Sequence, residues 1–389
     1  MLKGKHVLIG VSGGIAAYKS VELASILKKQ GAIIKIIMTK NAQEFVTPLT
    51  FTSITGESVS YTMFDEEKPI EHIALADWAE IFIIAPATAN VIGKIANGIA
   101  DDLLSTCFLA GKAIKIIVPA MNVYMYENKV VQRNIQTLRD LGYLVLDPDI
   151  GYLACGYSGK GRFPEPREIV DAIKVFSYFG TKNISLKNKK ILITAGANRE
   201  KIDPMRFISN RSSGKMGISL AKVAALMGAE VKLVHAHIEE NVPYYIDSIR
   251  AETANLMYKE VMGIADNYDI IIMCAAVADY TIEDPANEKI KKKENISLQL
   301  SRTKDILFEL GQRKKDNQIL VGFAAESENM IDNAKAKIIK KNCTHIIANS
   351  LYTSGKDETE QVLISKDKEL KLIGSKLETA CKIIEEIVK

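Results

Sequence analysis

Short apolar runs alternate with amphipathic segments along the chain, which has 389 residues. In the first half, the apolar runs of strand length lie near 6–12, 33–38, 81–86, 114–119 and 143–146. The segments with apolar residues at helical spacing lie near 15–29, 88–97, 101–110, 128–141 and 166–178. This alternation predicts an α/β fold with a doubly wound parallel sheet.

The chain begins this alternation twice. Residues 5–14 and 190–197 are both apolar runs that end in small residues, and each precedes an amphipathic helix that stops before a glycine. The two copies differ after the first strand, because only the second inserts a long polar loop, 198–215, before its helix. We therefore predict two Rossmann-like doubly wound domains that bind two different ligands.

A polar segment without helical period, 181–188, marks the predicted linker. It separates an N-terminal domain of residues 1–180 from a C-terminal domain of residues 189–389. The C-terminal domain continues the alternation as far as Asn349. Its individually predicted elements are a helix at 216–227, strands at 230–235, 360–364 and 369–373, and a final helix at 376–388.

Composition narrows the class of protein. Five cysteines without a Cys-x-x-Cys pair favour a reducing compartment and argue against a zinc cage or a disulfide framework. No apolar run has the length of a membrane span and the N-terminus enters a strand directly, so we predict a cytoplasmic protein without a signal peptide. The net charge of +4 is mild and suits anionic small molecules better than nucleic acid.

Polar and small residues follow the predicted strands of the first domain. In an open α/β sheet such loops lie together at the carboxyl edge, where ligands bind. Ser12, Gly13 and Gly14 form a turn at a helix start, which favours phosphate binding or, alternatively, is a tight turn of small residues. The side chains that add hydrogen-bond donors are Thr39, Thr88, Asn90 and Ser105. A mononucleotide such as FMN fits this set, since the turn is neither Gly-x-Gly-x-x-Gly nor Gly-Lys-Ser/Thr.

Three residues of the first domain are candidates for reaction chemistry. His72 precedes a predicted helix, where a lone histidine is more often structural than catalytic. Asn122 follows a predicted strand and either binds a ligand or caps the next helix. Cys155 lies in a glycine-rich stretch, 151–161, where a thiol on a mobile flap can deliver a proton, although buried cysteines are usually inert.

The polar loop of the second domain suits an anion. Arg206 and Arg211 can make bidentate contacts with phosphate or carboxylate, and Ser212-Ser-Gly214 offers hydroxyls and a helix cap. A solvated loop is the alternative interpretation. The basic cluster that begins at Lys289 is short, and taken alone it indicates a solvated charged turn.

A nucleotide site is predicted farther along the second domain. The strand that ends before Asp279 finishes in small residues, which allow a planar base or a metal-bound phosphate to approach. Lysines follow it and can together neutralise a triphosphate. The residues that we predict at this site are Met273, Cys274, Ala275, Asp279, Lys304, Asp305, Ile306, Leu307, Phe323, Lys337 and Lys341.

Four motifs of the first domain occur in the order of a known enzyme family. They are Pro86-Ala-Thr-Ala-Asn90, Pro119-Ala-Met-Asn-Val-Tyr-Met125, Leu153-Ala-Cys-Gly156 and Gly159-Lys-Gly-Arg162. They resemble the flavoprotein 4′-phosphopantothenoylcysteine decarboxylases, which implies a flavodoxin-like fold that binds FMN at a trimer interface. The resemblance also implies that His72 lies near the substrate carboxylate, that Asn122 binds it and that Cys155 protonates an enethiol. Tyr126 and Tyr157 depart from the family pattern, which usually has tryptophan and aspartate there.

The resemblance also implies the reaction of the first domain. Two electrons pass from the cysteine side chain of the substrate to the flavin, giving a thioaldehyde. This species loses carbon dioxide readily because the carbanion is delocalised onto sulfur. The electrons then return, so the net reaction is a decarboxylation to 4′-phosphopantetheine.

The second domain carries the motifs of another family. They are Ser209-Asn-Arg-Ser-Ser-Gly-Lys-Met-Gly217, Ala275-Ala-Val-Ala-Asp279, Lys289-Ile-Lys-Lys292 and Gly322-Phe-Ala-Ala-Glu326. They resemble the phosphopantothenate–cysteine ligases, which use CTP and Mg²⁺ to activate 4′-phosphopantothenate as an acyl cytidylate and then form an amide with L-cysteine. The resemblance places Asn210 on the activated intermediate, Lys289 on the developing charge and Arg206 near the substrate. The residues that it places around CTP and its metal are Asp279, Phe323, Lys337 and Lys341.

The order of the halves is that of the fused enzymes of coenzyme A biosynthesis, in which the ligase product is the decarboxylase substrate. That family implies a homo-oligomer, trimeric through the first domain and dimeric through the second, such as a dodecamer. A two-domain NAD(P) oxidoreductase is disfavoured because its glycine fingerprint is missing. Two alternatives remain, a flavoprotein with a regulatory or binding role and a decarboxylase of peptide C-terminal cysteines. Departures from the ligase pattern lie at Ala197, Asn198 and Lys201.

Overall fold

The computed structural model describes residues 1–64, 70–152, 156–180, 182, 184–292, 295–326, 330–350 and 358–389. The chain divides into two compact units, 1–181 and 182–389. Within the predicted linker, Thr181 and Asn183 lie outside the described residues. Leu186 is buried and its N–H donates to the Met227 carbonyl at 2.9 Å, so this part of the segment packs on the second unit. None of the helices in the described part has the length and apolar character that crossing a membrane requires.

The first unit is built on a parallel sheet. Its described strands are β1 (His6–Val11), β2 (Ile33–Met38), β3 (Val59–Ser60), β4 (Ile81–Ala87), β5 (Ile114–Pro119), β6 (Leu144–Val145), β7 (Asp149–Tyr152) and β8 (Ser158–Arg162). Its described α-helices are α1 (Ala17–Lys29), α2 (Pro48–Thr55), α3 (Glu71–Trp78), α4 (Ala89–Ala96), α5 (Leu103–Ala110), α6 (Val123–Glu127), α7 (Lys129–Asp140) and α8 (Pro166–Phe179). The sheet order β3-β2-β1-β4-β5-β6 is the Rossmann order, and without the short edge strand β3 it is the flavodoxin-like order. The predicted fold class is confirmed.

Burial explains where the central strands form. Every residue of β4 is buried, because a strand in the middle of a parallel sheet is covered on both faces and reads as a continuous apolar run. From β4, Phe82 packs edge-on against Phe108 of α5, with ring centroids 5.2 Å apart. Strands β1, β4 and β5 run parallel, so the loops that follow them meet at one edge of the sheet.

An antiparallel hairpin of β7 and β8 departs from the prediction for the first unit. The sequence there is rich in glycine and lacks the alternation of a strand. A Cβ atom on Gly159 would lie 2.6 Å from Val123 Cγ2, and one on Gly161 would lie 2.4 Å from the Met121 carbonyl oxygen. The glycines therefore allow the hairpin to pack directly on the chain that enters α6.

The second unit repeats the architecture of the first on a longer sheet. Its described strands are β9 (Lys190–Ala195), β10 (Arg199–Lys201), β11 (Phe207–Ser209), β12 (Glu230–His235), β13 (Asp247–Arg250), β14 (Ile270–Met273), β15 (Tyr280–Ile282), β16 (Leu300–Arg302), β17 (Ile319–Glu326), β18 (His345–Ser350), β19 (Glu358–Ser365) and β20 (Glu369–Ser375). Its described α-helices are α9 (Lys215–Leu226), α10 (Ala254–Ile264), α11 (Ile306–Arg313), α12 (Met330–Lys341) and α13 (Lys376–Ile387). The order β13-β12-β9-β14-β17-β18 is again the Rossmann order, and β19 and β20 extend the sheet in antiparallel fashion.

The long polar loop predicted at 198–215 contains a two-stranded ribbon of β10 and β11. The Arg199 guanidinium lies 4.4 Å from the centre of the Phe207 ring across this ribbon. A second ribbon pairs β15 with β16, and the Thr281 hydroxyl donates to Glu200 Oε2 at 2.6 Å to join the two ribbons. Strands of three residues are too short to show a period in the sequence.

Helix α9 starts in close contact with the first strand of its sheet. Its N-cap is Gly214, with φ of +75°, so the cap comes from the predicted stretch Ser212-Ser-Gly214 but involves no side-chain hydrogen bond. A Cβ atom on Gly214 would lie 2.5 Å from Ile238 Cγ2, and one on Gly217 would lie 2.6 Å from Ala195 Cβ. The close approach therefore requires glycine at both positions.

Candidate active sites

A cleft of about 1050 Å³ opens at the carboxyl edge of the first sheet. Its walls come from the loops after β1, β2, β4 and β5 and from the hairpin of β7 and β8. The predicted site residues that it brings together are Ser12, Gly13, Gly14, Thr39, Thr88, Asn90 and Asn122. A cleft of this size at this edge fits a ligand as large as a nucleotide.

The Ser12 hydroxyl holds two strand ends together beside the cleft. It donates to the Pro86 carbonyl at 2.7 Å and accepts the Thr88 N–H at 3.1 Å. Ser12 is 1% exposed, so its side chain fixes the loops after β1 and β4 relative to each other. Residues 13–16 line the cleft and no side chain caps α1, which leaves the positive end of the helix dipole available to an anion.

The charge on the described walls of the cleft is mainly positive. The charged residues that line it are Lys19, Lys40, Lys94, Arg162 and Asp102. Lys19 Nζ lies 3.3 Å from Glu165 Oε1, and Lys94 Nζ lies 2.8 Å from Asp102 Oδ2. Arg162 Nη2 also lies 3.0 Å from Glu165 Oε1, so three of the four cations are ion-paired and the remaining positive charge is modest. This charge suits an anionic ligand. Sequence reasoning missed these lysines because they come from separate elements and share no motif.

Ser105, predicted as a donor to the ligand, does not line the cleft. It is fully buried in the first turn of α5, where Asp102 is the N-cap. The Ser105 hydroxyl lies 2.9 Å from Asp102 Oδ1, and the Ser105 N–H donates to the same oxygen at 2.8 Å. Ser105 therefore positions Asp102, which itself lines the cleft.

Asp102→Asn is expected to make the first unit less sensitive to acid. Burial acts to raise the pKa of Asp102, but hydrogen bonds from Lys94 and Ser105 outweigh it and hold the pKa below its usual value of 3.8. A lowered pKa stabilises the fold above the unfolded-state value, and this contribution is lost as the pH falls through the folded-state pKa. The denaturant midpoint of the variant should therefore fall less than that of the wild type between about pH 5 and pH 3.

The matched control for this change is Asp101→Asn. Asp101 also contacts Lys94, at 2.6 Å, but its side chain is 57% exposed, against 31% for Asp102. Solvent screens an exposed pair, so the control should leave the acid response closer to that of the wild type. An acid response of Asp102→Asn that equals the wild type would contradict the assignment.

His72 and Cys155 are not placed in the described cleft. The sequence predicted His72 ahead of a helix, but the residue lies within the first turn of α3. Its Nδ1 atom is buried and has no hydrogen-bond partner among the residues that the structure describes. Cys155 lies between β7 and β8, outside the described residues. The catalytic roles of both residues stay predictions.

Asn122 occupies a position that serves both of its predicted roles. It is the N-cap of α6, where its Oδ1 accepts the Tyr124 N–H at 2.8 Å, and it lines the cleft. Tyr157, which departs from the decarboxylase pattern, packs edge-on against Tyr124, with ring centroids 5.4 Å apart. The segment after Cys155 therefore contacts the helix that Asn122 caps.

Tyr126, the other departure, is buried in α6 and bonded through its hydroxyl. The hydroxyl donates to Asp147 Oδ1 at 3.1 Å, and Lys160 of β8 lies 3.3 Å from the same oxygen. Burial, with the Asp147 charge, raises the pKa of Tyr126 to about 12, so the hydroxyl stays protonated. The tyrosine thus links α6 to the hairpin through a polar contact.

Predicted residues of the second unit also meet at the carboxyl edge of its sheet. Met273 ends β14 beside β17, on which Phe323 lies. The Thr194 hydroxyl oxygen accepts the N–H of Cys274 at 3.1 Å and that of Ala275 at 3.0 Å. These bonds fix the backbone of the loop after β14, where the sequence predicts a nucleotide.

Asn210 reaches this loop from the ribbon of β10 and β11. Its Nδ2 donates to the Val277 carbonyl at 3.3 Å and lies 3.5 Å from the Ala276 carbonyl oxygen. The residue is exposed. The ribbon therefore places the Asn210 amide beside the loop that follows β14, and its contact with an activated intermediate stays a prediction.

Thr303 connects the backbone of Asp279 to the segment that carries Lys304, one of the predicted lysines. The Thr303 N–H donates to the Asp279 carbonyl at 3.0 Å, and its hydroxyl donates to the Ala278 carbonyl at 2.6 Å. Lys304 follows, with its Nζ 4.1 Å from the centre of the Tyr258 ring. Asp279, whose side chain is exposed, is thus hydrogen-bonded through its backbone to the residue that precedes Lys304.

Asp305 lies beside two of the predicted lysines. It caps α11 by accepting the Phe308 N–H at 3.0 Å and forms an ion pair with Lys341. Burial acts to raise the pKa of Asp305, but Lys341, the Phe308 N–H and Lys337 outweigh it and lower the pKa. Asp305 therefore holds Lys341, and the charge of Lys337 acts on it more weakly.

Of the residues also predicted at the nucleotide site, Ile306 belongs to the core and Leu307 packs against it. Ile306 is 3% exposed. A Cβ atom on Gly322 would lie 2.7 Å from Leu307 Cδ2, which shows that this leucine packs tightly on β17. Ile306 is therefore part of the core and Leu307 is partly buried against it, and the nucleotide contacts predicted for both stay predictions.

Arg206 does not stand free in its loop. Its Nε donates to Asp203 Oδ2 at 2.8 Å, and its Nη2 donates to the Ile290 carbonyl at 3.0 Å. Lys289 precedes Ile290 and is exposed. The structure therefore joins Arg206 to the segment that carries Lys289 both directly and through Asp203. Sequence reasoning missed Asp203.

The donor set for a metal ion is small in the second unit. Among the described residues, no group of three or more histidine, cysteine, aspartate or glutamate side chains is arranged to hold a metal. Asp279 offers one exposed carboxylate. A single carboxylate fits Mg²⁺ only when phosphate oxygens and water complete the coordination, which is usual for nucleotide-bound Mg²⁺.

Comparison with known proteins assigns the family. Residues 1–177 match the family model "Flavoprotein", and residues 186–389 match "DNA/pantothenate metabolism flavoprotein C-terminal domain". The coenzyme A biosynthesis bifunctional protein CoaBC of Bacillus subtilis is 45% identical, covering 100% of this chain and 97% of its relative, and that of Haemophilus influenzae is 41% identical, with 100% and 98% covered. The crystal structure of the C-terminal domain of a CoaBC protein is 39% identical, covers 52% of this chain and 95% of its own, and superposes with a TM-score of 0.45. The chain therefore belongs to the family of bifunctional coenzyme A biosynthesis enzymes, which confirms the predicted union of a phosphopantothenoylcysteine decarboxylase with a phosphopantothenate–cysteine ligase.

Proposed function

We propose that the second unit makes 4′-phosphopantothenoylcysteine and that the first unit decarboxylates it to 4′-phosphopantetheine. The observation that carries the proposal is the cationic cleft of the first unit, which joins the Ser12–Gly14 turn to Asn122. The arrangement of Asn210 over the loop after β14 supports the ligase half. The two reactions are consecutive, because the amide formed in one is the substrate of the other.

The cleft residues fit FMN. The turn at Gly13 leaves no room for a Cβ atom, the start of α1 favours a phosphate, and the wall lysines favour an anion. Bound FMN supplies a reversible acceptor for two electrons. The roles proposed for the chain are that Asn122 orients the substrate carboxylate, that His72 lies near it, and that Cys155 delivers the proton that completes the saturated thiol.

The ligase half has to make a carboxylate reactive. Hydroxide is a poor leaving group, and a carboxylate repels a nucleophile, so activation by a nucleotide solves both problems. We propose CTP as this nucleotide, with Asp279 and the triphosphate oxygens holding Mg²⁺. Lys289 stabilises the charge that develops during activation, and Asn210 holds the acyl cytidylate while the cysteine amine attacks.

The assembly and compartment follow from the family resemblance. We propose a homo-oligomer that is trimeric through the first unit and dimeric through the second, which closes as a dodecamer. We also propose that the protein works in the cytoplasm, where reduced cysteines persist.

The proposed function is tested by assaying the halves separately in the full chain. The purified protein should show the visible absorption spectrum of a bound flavin. It should release carbon dioxide from supplied 4′-phosphopantothenoylcysteine without any nucleotide. With 4′-phosphopantothenate, L-cysteine and Mg²⁺, it should release pyrophosphate faster with CTP than with ATP. A flavin-containing protein that does neither would instead support a regulatory or binding role.

Gly13→Ala is expected to weaken flavin retention by roughly tenfold or more, as overpacking costs about 1–3 kcal/mol. The added Cβ would lie 2.4 Å from Asn41 Cβ and 2.8 Å from its backbone carbon, so the loop after β2 has to move. Gly93→Ala in α4 is the matched control, because Gly93 does not line the cleft and its Cβ would meet Asn134 Nδ2 at an ordinary 3.6 Å. Flavin absorbance per chain after dialysis measures the difference, and equal retention by both variants would contradict the fit.

A further inference from the structure

Asp203 is a buried carboxylate that no predicted role uses. The residue is 2% exposed and lies between β10 and β11. Its Oδ1 accepts the N–H groups of Met205 and Arg206, both at 2.8 Å. These bonds fold the ribbon turn around the carboxylate, as an aspartate commonly does in a turn.

The other oxygen of Asp203 reaches a distant part of the chain. Oδ2 accepts the Arg206 Nε–H at 2.8 Å and the Ile290 N–H at 3.2 Å. Arg206 Nη2 in turn donates to the Ile290 carbonyl at 3.0 Å. Both backbone groups of Ile290 are thus held by one ion pair, while the Ala286 N–H donates to the Ile202 carbonyl at 3.0 Å nearby.

Lys289 lies between these two anchored points, directly before Ile290. Its flexible side chain is exposed, so its own contacts do not fix where its ammonium group lies. The backbone that carries it is instead fixed by the buried pair. We propose that Asp203 and Arg206 are positioning residues that hold the Lys289 segment in the geometry required for carboxylate activation; this inference rests on the proposed ligase role of Lys289.

The chemistry of the pair supports this arrangement. Hydrogen bonds from Arg206, and those from the Met205 and Ile290 N–H groups, hold the pKa of Asp203 well below its usual range, so it is ionised at neutral pH. A planar guanidinium can serve the carboxylate and the Ile290 carbonyl at once, whereas an ammonium cannot match that geometry. The ion pair of Asp203 and Arg206 therefore fixes the segment at 286–290 relative to the turn between β10 and β11.

Asp203→Asn tests the proposal because it keeps the shape of the side chain. An amide can still accept the turn N–H groups, but its NH₂ then faces the Arg206 and Ile290 donors. We expect kcat for CTP-dependent pyrophosphate release to fall roughly 10- to 100-fold, with a much smaller change in KM for CTP, because a misplacement of about 1 Å has this effect on rate. A denaturant midpoint of the second unit close to that of the wild type would show that this unit is folded. Carbon dioxide release from supplied 4′-phosphopantothenoylcysteine, which is the reaction of the first unit, should be unchanged.

A double-mutant cycle with Lys289→Ala separates positioning from a general structural role. If Asp203 acts through Lys289, adding Asp203→Asn to Lys289→Ala should lower kcat less than about threefold further. Arg206→Ala should likewise lower kcat in the wild type but have little further effect in Lys289→Ala. It is the variant to use if Asp203→Asn does not fold.

The matched control is Glu200→Gln. Glu200 is also a buried carboxylate on this ribbon, but it accepts the Ala254 N–H and the Thr281 hydroxyl, away from Ile290. The fold-reduction in kcat caused by Glu200→Gln should therefore be the same in the wild type and in Lys289→Ala. If the fold-reduction caused by Asp203→Asn is likewise the same in both, the inference is overturned while the ligase function stands. If Lys289→Ala alone leaves pyrophosphate release unchanged, the proposed role of Lys289 and the inference both fall.

Discussion

Lys289→Ala should reduce CTP-dependent pyrophosphate release by roughly 10²–10³-fold. The expected size is that of removing one preorganised group from a developing charge. The exposed side chain has its backbone held next to Ile290, so its loss should affect the charge and not the fold. The rate of pyrophosphate release at saturating CTP, 4′-phosphopantothenate and cysteine measures this effect.

Two comparisons make the Lys289 result specific. Lys366→Ala removes another exposed lysine, in the turn between β19 and β20, and should leave the rate near that of the wild type. Carbon dioxide release from supplied 4′-phosphopantothenoylcysteine should also be unchanged in Lys289→Ala, because that reaction belongs to the other unit. A wild-type rate of pyrophosphate release in Lys289→Ala would remove the residue from the proposed ligase site.

Cys155→Ser should abolish sustained formation of 4′-phosphopantetheine while leaving pyrophosphate release intact. A serine hydroxyl is a much weaker acid than a thiol, and loss of a positioned general acid typically costs 10²–10⁴-fold. If Cys155 protonates the enethiol after carbon dioxide has left, one round of carbon dioxide release should remain. Rapid quenching and mass analysis should then find an enethiol in place of the saturated thiol.

Cys107→Ala distinguishes this effect from the loss of any thiol in the first unit. Cys107 is fully buried in α5, and burial raises its pKa to about 12, so it is an inert core thiol. Its removal should lower stability and leave the product saturated. An unchanged rate of 4′-phosphopantetheine formation in Cys155→Ser would contradict the role proposed for Cys155.

The long strands of the first sheet could be predicted because each is a continuous apolar run, whereas α2 and the two-residue strand β3 are missing from the prediction. Strand β4 is apolar throughout, and the prediction of 81–86 comes within one residue of Ile81–Ala87. The hairpin at 149–162 could not be predicted, because its glycines are there for contact with Val123 and Met121, which the local sequence does not show. Local pattern thus gives the framework, and long-range packing decides the irregular parts.

The same division applies to the sites. The turn at Ser12–Gly14 and the cap at Asn122 follow strands directly, so they could be assigned to the sheet edge from sequence. The cleft lysines could not, because Lys19 and Lys94 lie on different helices and meet only in the fold. Asp203 has a weak local signal, an arginine three residues later, but its bond to Ile290 spans 87 positions.

The central claim is that one chain joins and then decarboxylates the same cysteine. It is tested most directly by supplying L-cysteine labelled in its carboxyl carbon, with 4′-phosphopantothenate, Mg²⁺ and CTP, and following labelled carbon dioxide and pyrophosphate together. We expect both products in equal amounts after a short lag, and neither without CTP. Pyrophosphate without labelled carbon dioxide, or labelled carbon dioxide without CTP, would contradict the account.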